Sequence, residues 1–197
     1  MAAPSIRQLE RGEHDLIGQI IATGFADDAV NLWVFAGEGA MKPTFTTMAE
    51  YLYLTRGFGH VTADGLAGTL WLPPSAKKGY GLGNLSLGAS IIRHGGLQAL
   101  KNSLAIDAFM AKKRKLHPPH FYLFAIAVDP SLQGKGIGGA LMREALTRVD
   151  AAGMPAYLEN SKEQNISFYQ NHGFEILEEA VPANGCPPMW LMWRKAN

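Results

Sequence analysis

Residues 128–139, Val-Asp-Pro-Ser-Leu-Gln-Gly-Lys-Gly-Ile-Gly-Gly, lie directly after an apolar run and directly before a helical pattern. Gln133, Gly136 and Gly138 fill the pattern Gln-x-x-Gly-x-Gly. A loop of that form turns successive backbone N–H groups toward one point at the start of the next helix, where the helix dipole reinforces them. The chemistry it suits is binding a pyrophosphate, because a Cβ at those positions would hold the phosphates away from the backbone.

Two other glycine devices fit less well. A Walker loop requires Lys-[Ser/Thr] after its last glycine, and here Lys135 is followed by Gly136, with no hydroxyl to hold Mg²⁺. The dinucleotide fingerprint G-x-G-x-x-G is literally present as Gly134, Gly136 and Gly139, and an acid, Glu159, follows at about the spacing of 20 that motif wants. However, Asp129 to Gln133 separate the strand from the first glycine, and the chain after Glu159 is short for the strands that complete a dinucleotide site.

Other reactive side chains are few. Glu159 closes the short extended run Ala156–Asn160, at the carboxyl end of a strand, where ligands gather in α/β sheets; it reads as a general base or as a solvated strand-end carboxylate. His120 opens the run Phe121–Val128 and is an alternative base or a structural histidine, with a reference pKa of about 6.5. His172, before Gly173, reads as a cationic helix end. Cys186, the single cysteine, cannot form an internal disulfide and reads as a buried thiol in a reducing compartment. Lys112, Lys113, Arg114 and Lys115 read as the cationic last turn of a helix stopped by Pro118-Pro119, with a phosphate contact left open.

The elements that must position these residues follow from periodicity. Ile6–Leu9 reads as a short strand, and residues 14–28, 29–37 and 42–59 as helices. Residues 60–74 read as a hairpin turning at Ala63-Asp64-Gly65, and 79–84 as a loop. A long helix over Leu85–Lys115 is expected to break at Gly95-Gly96. Phe121–Val128 has the unbroken apolar character of a strand buried on both faces. Then come an amphipathic helix over Ile137–Ala152, the strand Ala156–Asn160, a short helix over Gln164–His172, and two strands, FEILEEAV and MWLMWR. This alternation predicts an α/β fold, one domain over residues 1–197, with a mixed sheet and a parallel pair at its centre.

Composition narrows the function class. Charged residues make up only 18% of the chain, leaving enough apolar residues for a sizeable core, and the net charge of +1 offers no general attraction for a polyanion. Nucleic acid is therefore not expected as a partner, nor a membrane, since no apolar stretch approaches 18 residues. The N-terminus lacks a secretory pattern, so a cytoplasmic location is expected.

The loop and a second block resemble one family. V-D-P-x-x-Q-G-x-G-I-G (residues 128–138) and the later Asn165-x-x-x-Tyr169-x-x-x-Gly173-Phe174 are similar, in order and spacing, to the two halves of the GNAT (GCN5-related N-acetyltransferase) core. More loosely, the TLWLPPS, YLENS and Trp-containing C-terminal segments resemble the puromycin N-acetyltransferase group of that superfamily. The resemblance implies a single-domain GNAT fold, with a twisted mixed sheet, a splayed central parallel strand pair and flanking helices. It further implies acetyl-CoA as co-substrate, with no metal, and a small-molecule amine as acceptor. The backbone of Ile126, Ala127 and Val128 would pair with the pantetheine arm. Gln133, Gly134, Lys135, Gly136, Ile137, Gly138 and Gly139 would hold the pyrophosphate. Asn160 and Asn165 would hold cofactor amides, and Tyr169 would stand near the sulfur as general acid, with Glu159 or His120 as the base. Residues 1–118 would shape the acceptor side and 119–197 the acetyl-CoA core.

The acceptor pocket would draw on Trp33, Phe35, Tyr51, Tyr53, Phe58, Trp71, Trp190 and Trp193, most of which also suit a core. A monomer or homodimer is compatible with all this. The same fold could also serve as a non-catalytic module that senses acyl-CoA.

Overall fold

The computed structural model describes residues 4–76, 79, 81 and 83–196. Seven strands form one sheet in the order β1-β2-β3-β4-β5-β7-β6. β1 (Ile6–Gln8), β2 (Phe58–Thr62) and β3 (Ala67–Leu72) are antiparallel neighbours leading to β4 (Phe121–Val128). β5 (Ala156–Asn160) is parallel to β4, while β7 (Met189–Arg194) enters between β5 and the exposed edge strand β6 (Glu175–Ala180). The expected hairpin is β2–β3, and the expected α/β architecture with its parallel centre is present.

Helices cover both faces. One carries α1 (His14–Gly24), α2 (Ala29–Phe35), α3 (Met41–Met48) and α5 (Gly83–Arg114), and the other carries α6 (Ile137–Ala151). The third expected helix is α3 continued through a π-helical turn, Ala49–Tyr53, into the short α4 (Leu54–Arg56). The long helix breaks where its glycines stand, at Gly96 with φ 74 and ψ −172. The expected loop over 79–84 falls partly outside the described residues, and α5 already begins at Gly83. After β5, a 3₁₀ turn at Glu163–Asn165 leads into α7 (Ile166–Gln170).

The opening of the centre depends on how β4 is paired. β4 and β5 pair only at Phe121↔Ala156, Tyr122↔Tyr157 and Leu123↔Leu158. Beyond Leu123, β4 stays with β3 through Val128, and beyond Leu158, β5 stays with β7 through Asn160. The register against β3 shifts between Leu70 and Trp71, leaving Phe124 as the extra residue of a bulge. Phe124 and Ala125 therefore both pack on the helix α1–α3 side instead of alternating. The apolar run is thus buried on both faces only as far as Leu123; Phe124, Ile126 and Val128 are half-buried and line a cleft.

Candidate functional site

The splay opens into a cleft of about 1330 Å³ that runs from the glycine loop, between β4 and β5, to the inner faces of α2, α3 and α5. At its loop end, Asp129 accepts from Ser131 N at 2.9 Å and caps a 3₁₀ turn, Pro130–Leu132. Gly134 and Gly136 then take left-handed φ of 74 and 79, and Gly136 caps α6. Only glycine adopts that conformation without strain. Among the described residues, no carbonyl accepts from the N–H groups of residues 134–139; Ala140 is the first of the helix to donate, to Gly136 O at 3.1 Å. Nothing lies within 4 Å of where a Cβ on Gly134 or Gly136 would stand, so the space before these donors is open. Convergent free donors, a helix N-terminus and open space fit a pyrophosphate.

Neighbouring side chains serve this loop. Gln133 Nε2 donates to Val128 O at 3.2 Å, tying the loop to its own strand, and Lys135 Nζ donates to Ser131 O at 2.9 Å. Asp129 N donates to Leu66 O on the β3 side at 2.9 Å. By strand alternation, the peptide groups of Ala127 face β3 as well, while those of Ile126 and Val128 face the gap. The expectation that Ala127 offers its backbone to a ligand is therefore corrected. Its methyl packs where α1 approaches at Gly24, and its peptide belongs to the β3 ladder.

Tyr169, on α7, lines the same cleft and is 8% exposed. Burial, and then the nearby Asp28 charge, raises its phenol well above the ordinary tyrosine range, so it carries its proton at any neutral pH. Asn165 stands at the start of α7 without capping it through its side chain, and also faces the cleft. Asn160 lines the cleft and also turns the chain after β5: its Nδ2 donates to Lys162 O at 2.7 Å and its Oδ1 accepts from Lys162 N at 3.2 Å.

Glu159 is the first residue beyond the parallel pairing, but it is not solvated. Arg114 Nη1 donates to its Oε1 at 3.1 Å, and the two side chains are 11% and 1% exposed. The guanidinium also lies 4.8 Å from the Tyr122 ring centre. Burial, with the Glu159 charge next, pushes the Tyr122 and Tyr157 phenols far up. The basic run forms the last turn of α5, as expected; within it Arg114 turns into the site and Lys113 clasps Glu178 on β6 at 2.6 Å. His120 stands at the start of β4, roughly 20 Å along the strand from Ile126 at about 3.3 Å per residue. Its Nδ1 contacts Pro118 O at 2.7 Å, its ring packs on Tyr157 and Trp193, and burial lowers its pKa. His172 Nδ1 contacts Phe168 O at 2.8 Å, in keeping with a helix-end role.

Asp28 and Ser161 are among the polar residues of the cleft that sequence reasoning did not find. Asp28, 1% exposed, caps α2 by accepting from Asn31 N at 2.8 Å, and its other oxygen accepts from Ser161 Oγ, just past β5. Its partner lies 133 positions away, a pairing no local pattern announces. Of the eight aromatics considered for the acceptor, only Phe35 lines the cleft among the described residues; Phe25, Phe45, Phe124 and Phe168 do so in their place. Phe58 and Trp71 stack on each other on the α6 face.

Comparison with known proteins agrees with this geometry. Residues 98–176 match the family described as acetyltransferase (GNAT) domain. A mycothiol acetyltransferase from Brachybacterium faecium is 35% identical over 57 residues, which cover 27% of this chain and 17% of that protein. The chain thus spans under a fifth of the length of that curated relative. Among solved structures, the histone acetyltransferase HPA2 and related acetyltransferase of Corynebacterium glutamicum aligns over 100% of this chain and 98% of its own, with TM-score 0.72 and 21% identity. A polyamine N-acetyltransferase of Drosophila melanogaster aligns over 96% and 98%, with TM-score 0.60 and 17% identity. PaiA N-acetyltransferase of Thermoplasma acidophilum, solved with coenzyme A, aligns over 98% and 99%, with TM-score 0.52 and 13% identity. The family match thus covers residues 98–176, and the solved structures share the fold of the whole chain; the finer resemblance to the puromycin N-acetyltransferase group rests on sequence segments alone.

Proposed function

We propose that this chain, which carries a GNAT acetyltransferase domain, transfers an acetyl group from acetyl-CoA directly to the amine of a small molecule. One observation carries the reading. The N–H groups of Ile126 and Val128, turned away from β3, lead along an opened strand to the unpaired N–H groups of residues 134–139. A pantetheine amide chain can add to the exposed strand edge while its pyrophosphate sits in the loop. In this reading Gly134, Lys135, Gly136, Ile137, Gly138 and Gly139 hold the phosphates through their backbone, Gln133 fixes the loop, and Asn165 meets the cofactor's amides.

Tyr169 is the proton donor. A departing thiolate, whose conjugate acid has a pKa of about 8.5, accepts a proton from a buried phenol that is still neutral. The N–H of Val128, pointing into the gap, is placed to stabilise the thioester oxygen as negative charge develops on it. Glu159 serves as a wall of the acceptor chamber through its pair with Arg114, and His120 stands at the chamber's far end. Residues 1–118 supply most of the remaining wall: Phe35, Phe45, Ile106 and Met110 make it apolar, suited to an amine carrying a ring or an acyl chain.

The test is thiol release on mixing the protein with acetyl-CoA and a panel of aryl, alkyl and polyamine acceptors. Release that depends on the amine supports transfer. Tight coenzyme A binding by calorimetry without release from any acceptor would instead identify a sensor module.

A further inference from the structure

The site as described holds a proton donor for the sulfur but nothing that relieves the acceptor of its own proton. Glu159 is engaged by Arg114, and His120 packs against Tyr157 and Trp193 at the start of β4. One carboxylate in the cleft is placed differently. Asp28 is 1% exposed, and among the described residues no cationic side chain pairs with it. Its two oxygens have separate tasks. Oδ1 accepts from Asn31 N at 2.8 Å and Asn31 Nδ2 at 3.0 Å, which holds the carboxylate rigidly on α2. Oδ2 accepts the Ser161 hydroxyl from the opposite wall, at the end of β5. Capping needs only the first oxygen, so the second contact is beyond what α2 requires. Both residues line the cleft together with Tyr169, whose phenol feels the Asp28 charge.

We infer that Ser161 and Asp28 form the acceptor-amine station, with the Ser161 hydroxyl meeting the amine and Asp28 receiving its proton through that hydroxyl. This rests on the transferase reading above. The acceptor arrives as an ammonium, drawn to a buried anion, and loses one proton to Asp28 through Ser161. The freed nitrogen lone pair bonds to the thioester carbonyl carbon. As the C–S bond breaks, Tyr169 protonates the thiolate, and the second amine proton restores the Tyr169 phenol. Asp28 returns the first proton to water, so one proton is released per acetyl transferred. The substrate class that follows is an amine with at least one N–H, cationic in water, on an apolar body that fills the Phe35–Phe45–Met110 side of the chamber.

The experiment compares wild type, Asp28→Asn and Ser161→Ala, using acetyl-CoA and whichever amine of the panel wild type acetylates fastest. Asp28→Asn keeps an N-cap of equal quality while removing the proton acceptor. The expected result is a fall in kcat/KM of roughly 10²–10⁴-fold in Asp28→Asn, the range of general base catalysis. Coenzyme A affinity should stay within about twofold of wild type. The pH profile of kcat/KM should also change shape, following the free amine's own deprotonation once the base is gone. A merely structural role would lower the rate without moving that profile. An unmoved profile in Asp28→Asn, or a Ser161→Ala rate within about threefold of wild type, overturns the inference while leaving the Tyr169 chemistry intact. Wild type that releases no thiol with any amine overturns the transferase reading and this one together. If Asp28→Asn melts below the assay temperature, Ser161→Ala decides alone.

Discussion

Arg114, the last residue of α5, reaches 3.1 Å from Glu159 at the opening of β5, with their side chains 11% and 1% exposed. The pair pins the end of a 32-residue helix to the floor of the cleft, and Lys113 repeats the clasp one residue earlier on Glu178 of β6. Leaving either partner of a buried pair alone is far costlier than removing both.

Arg114→Ala should therefore destabilise the fold by about 3–5 kcal/mol. The double substitution Arg114→Met with Glu159→Leu should recover most of that loss. Urea midpoints of the three proteins check it; equal destabilisation in the single and double variants would show that the pair itself carries little.

Gly136→Ala should weaken coenzyme A binding by roughly tenfold or more. The methyl would stand in the open space before the free N–H groups at a φ of 79, where a left-handed residue with a Cβ costs about 1–2 kcal/mol. Isothermal calorimetry reads the affinity, and the melting temperature separates strain from lost contact.

Tyr169→Phe should lower kcat by about 10²–10⁴-fold with coenzyme A affinity unchanged, because the ring keeps its packing and only the donated proton is lost. Steady-state kinetics with calorimetry distinguish the two effects. A kcat within threefold of wild type would remove Tyr169 from the chemistry.

Alkaline pH should destabilise the fold. Burial raises the phenols of Tyr122, Tyr157 and Tyr169 above their unfolded value of 10.0. The stability they contribute is fully present below that value. It is lost as pH climbs from there toward the folded values, since only the unfolded chain releases those protons. Urea midpoints should hold between pH 8 and 9.5 and fall by pH 11, and a flat profile would contradict the burial of these rings.

Cys186 is 6% exposed and burial, followed by the Asp28 charge, pushes its thiol up to about 11. Iodoacetamide at pH 8 should modify the native protein at least about tenfold more slowly than the urea-unfolded chain, since the thiolate is the reacting form. Mass spectrometry over time gives both rates.

Much of this site was legible in the chain because its parts are local. Gln133 to Gly139 span a few residues, and their backbone geometry follows from glycine's freedom, whatever packs around them. Asn165, Tyr169 and Gly173 lie on and just beside α7, within nine residues, so their spacing alone places them together. The break in α5 at Gly96 was readable for the same reason. The local turn that Asn160 makes with Lys162 was not foreseen, because side-chain hydrogen bonds two residues along leave no mark in the periodicity. The pairing of Arg114 was not legible because its partner lies 45 residues on, and nothing in a lysine-rich helix end says which cation turns inward.

The succession of strands and helices along the chain and the glycine conformations of the loop were legible in the one-dimensional pattern, since periodicity and glycine conformation act over a few neighbouring residues. The tertiary structure alone decided that the β4 bulge at Phe124 brings two adjacent side chains to one face, and that Ile126 and Val128, but not Ala127, face the gap. It also decided that Asp28 meets Ser161 across the cleft. Those facts depend on which distant segments exclude water from each other, a property of the packed chain that no local pattern encodes.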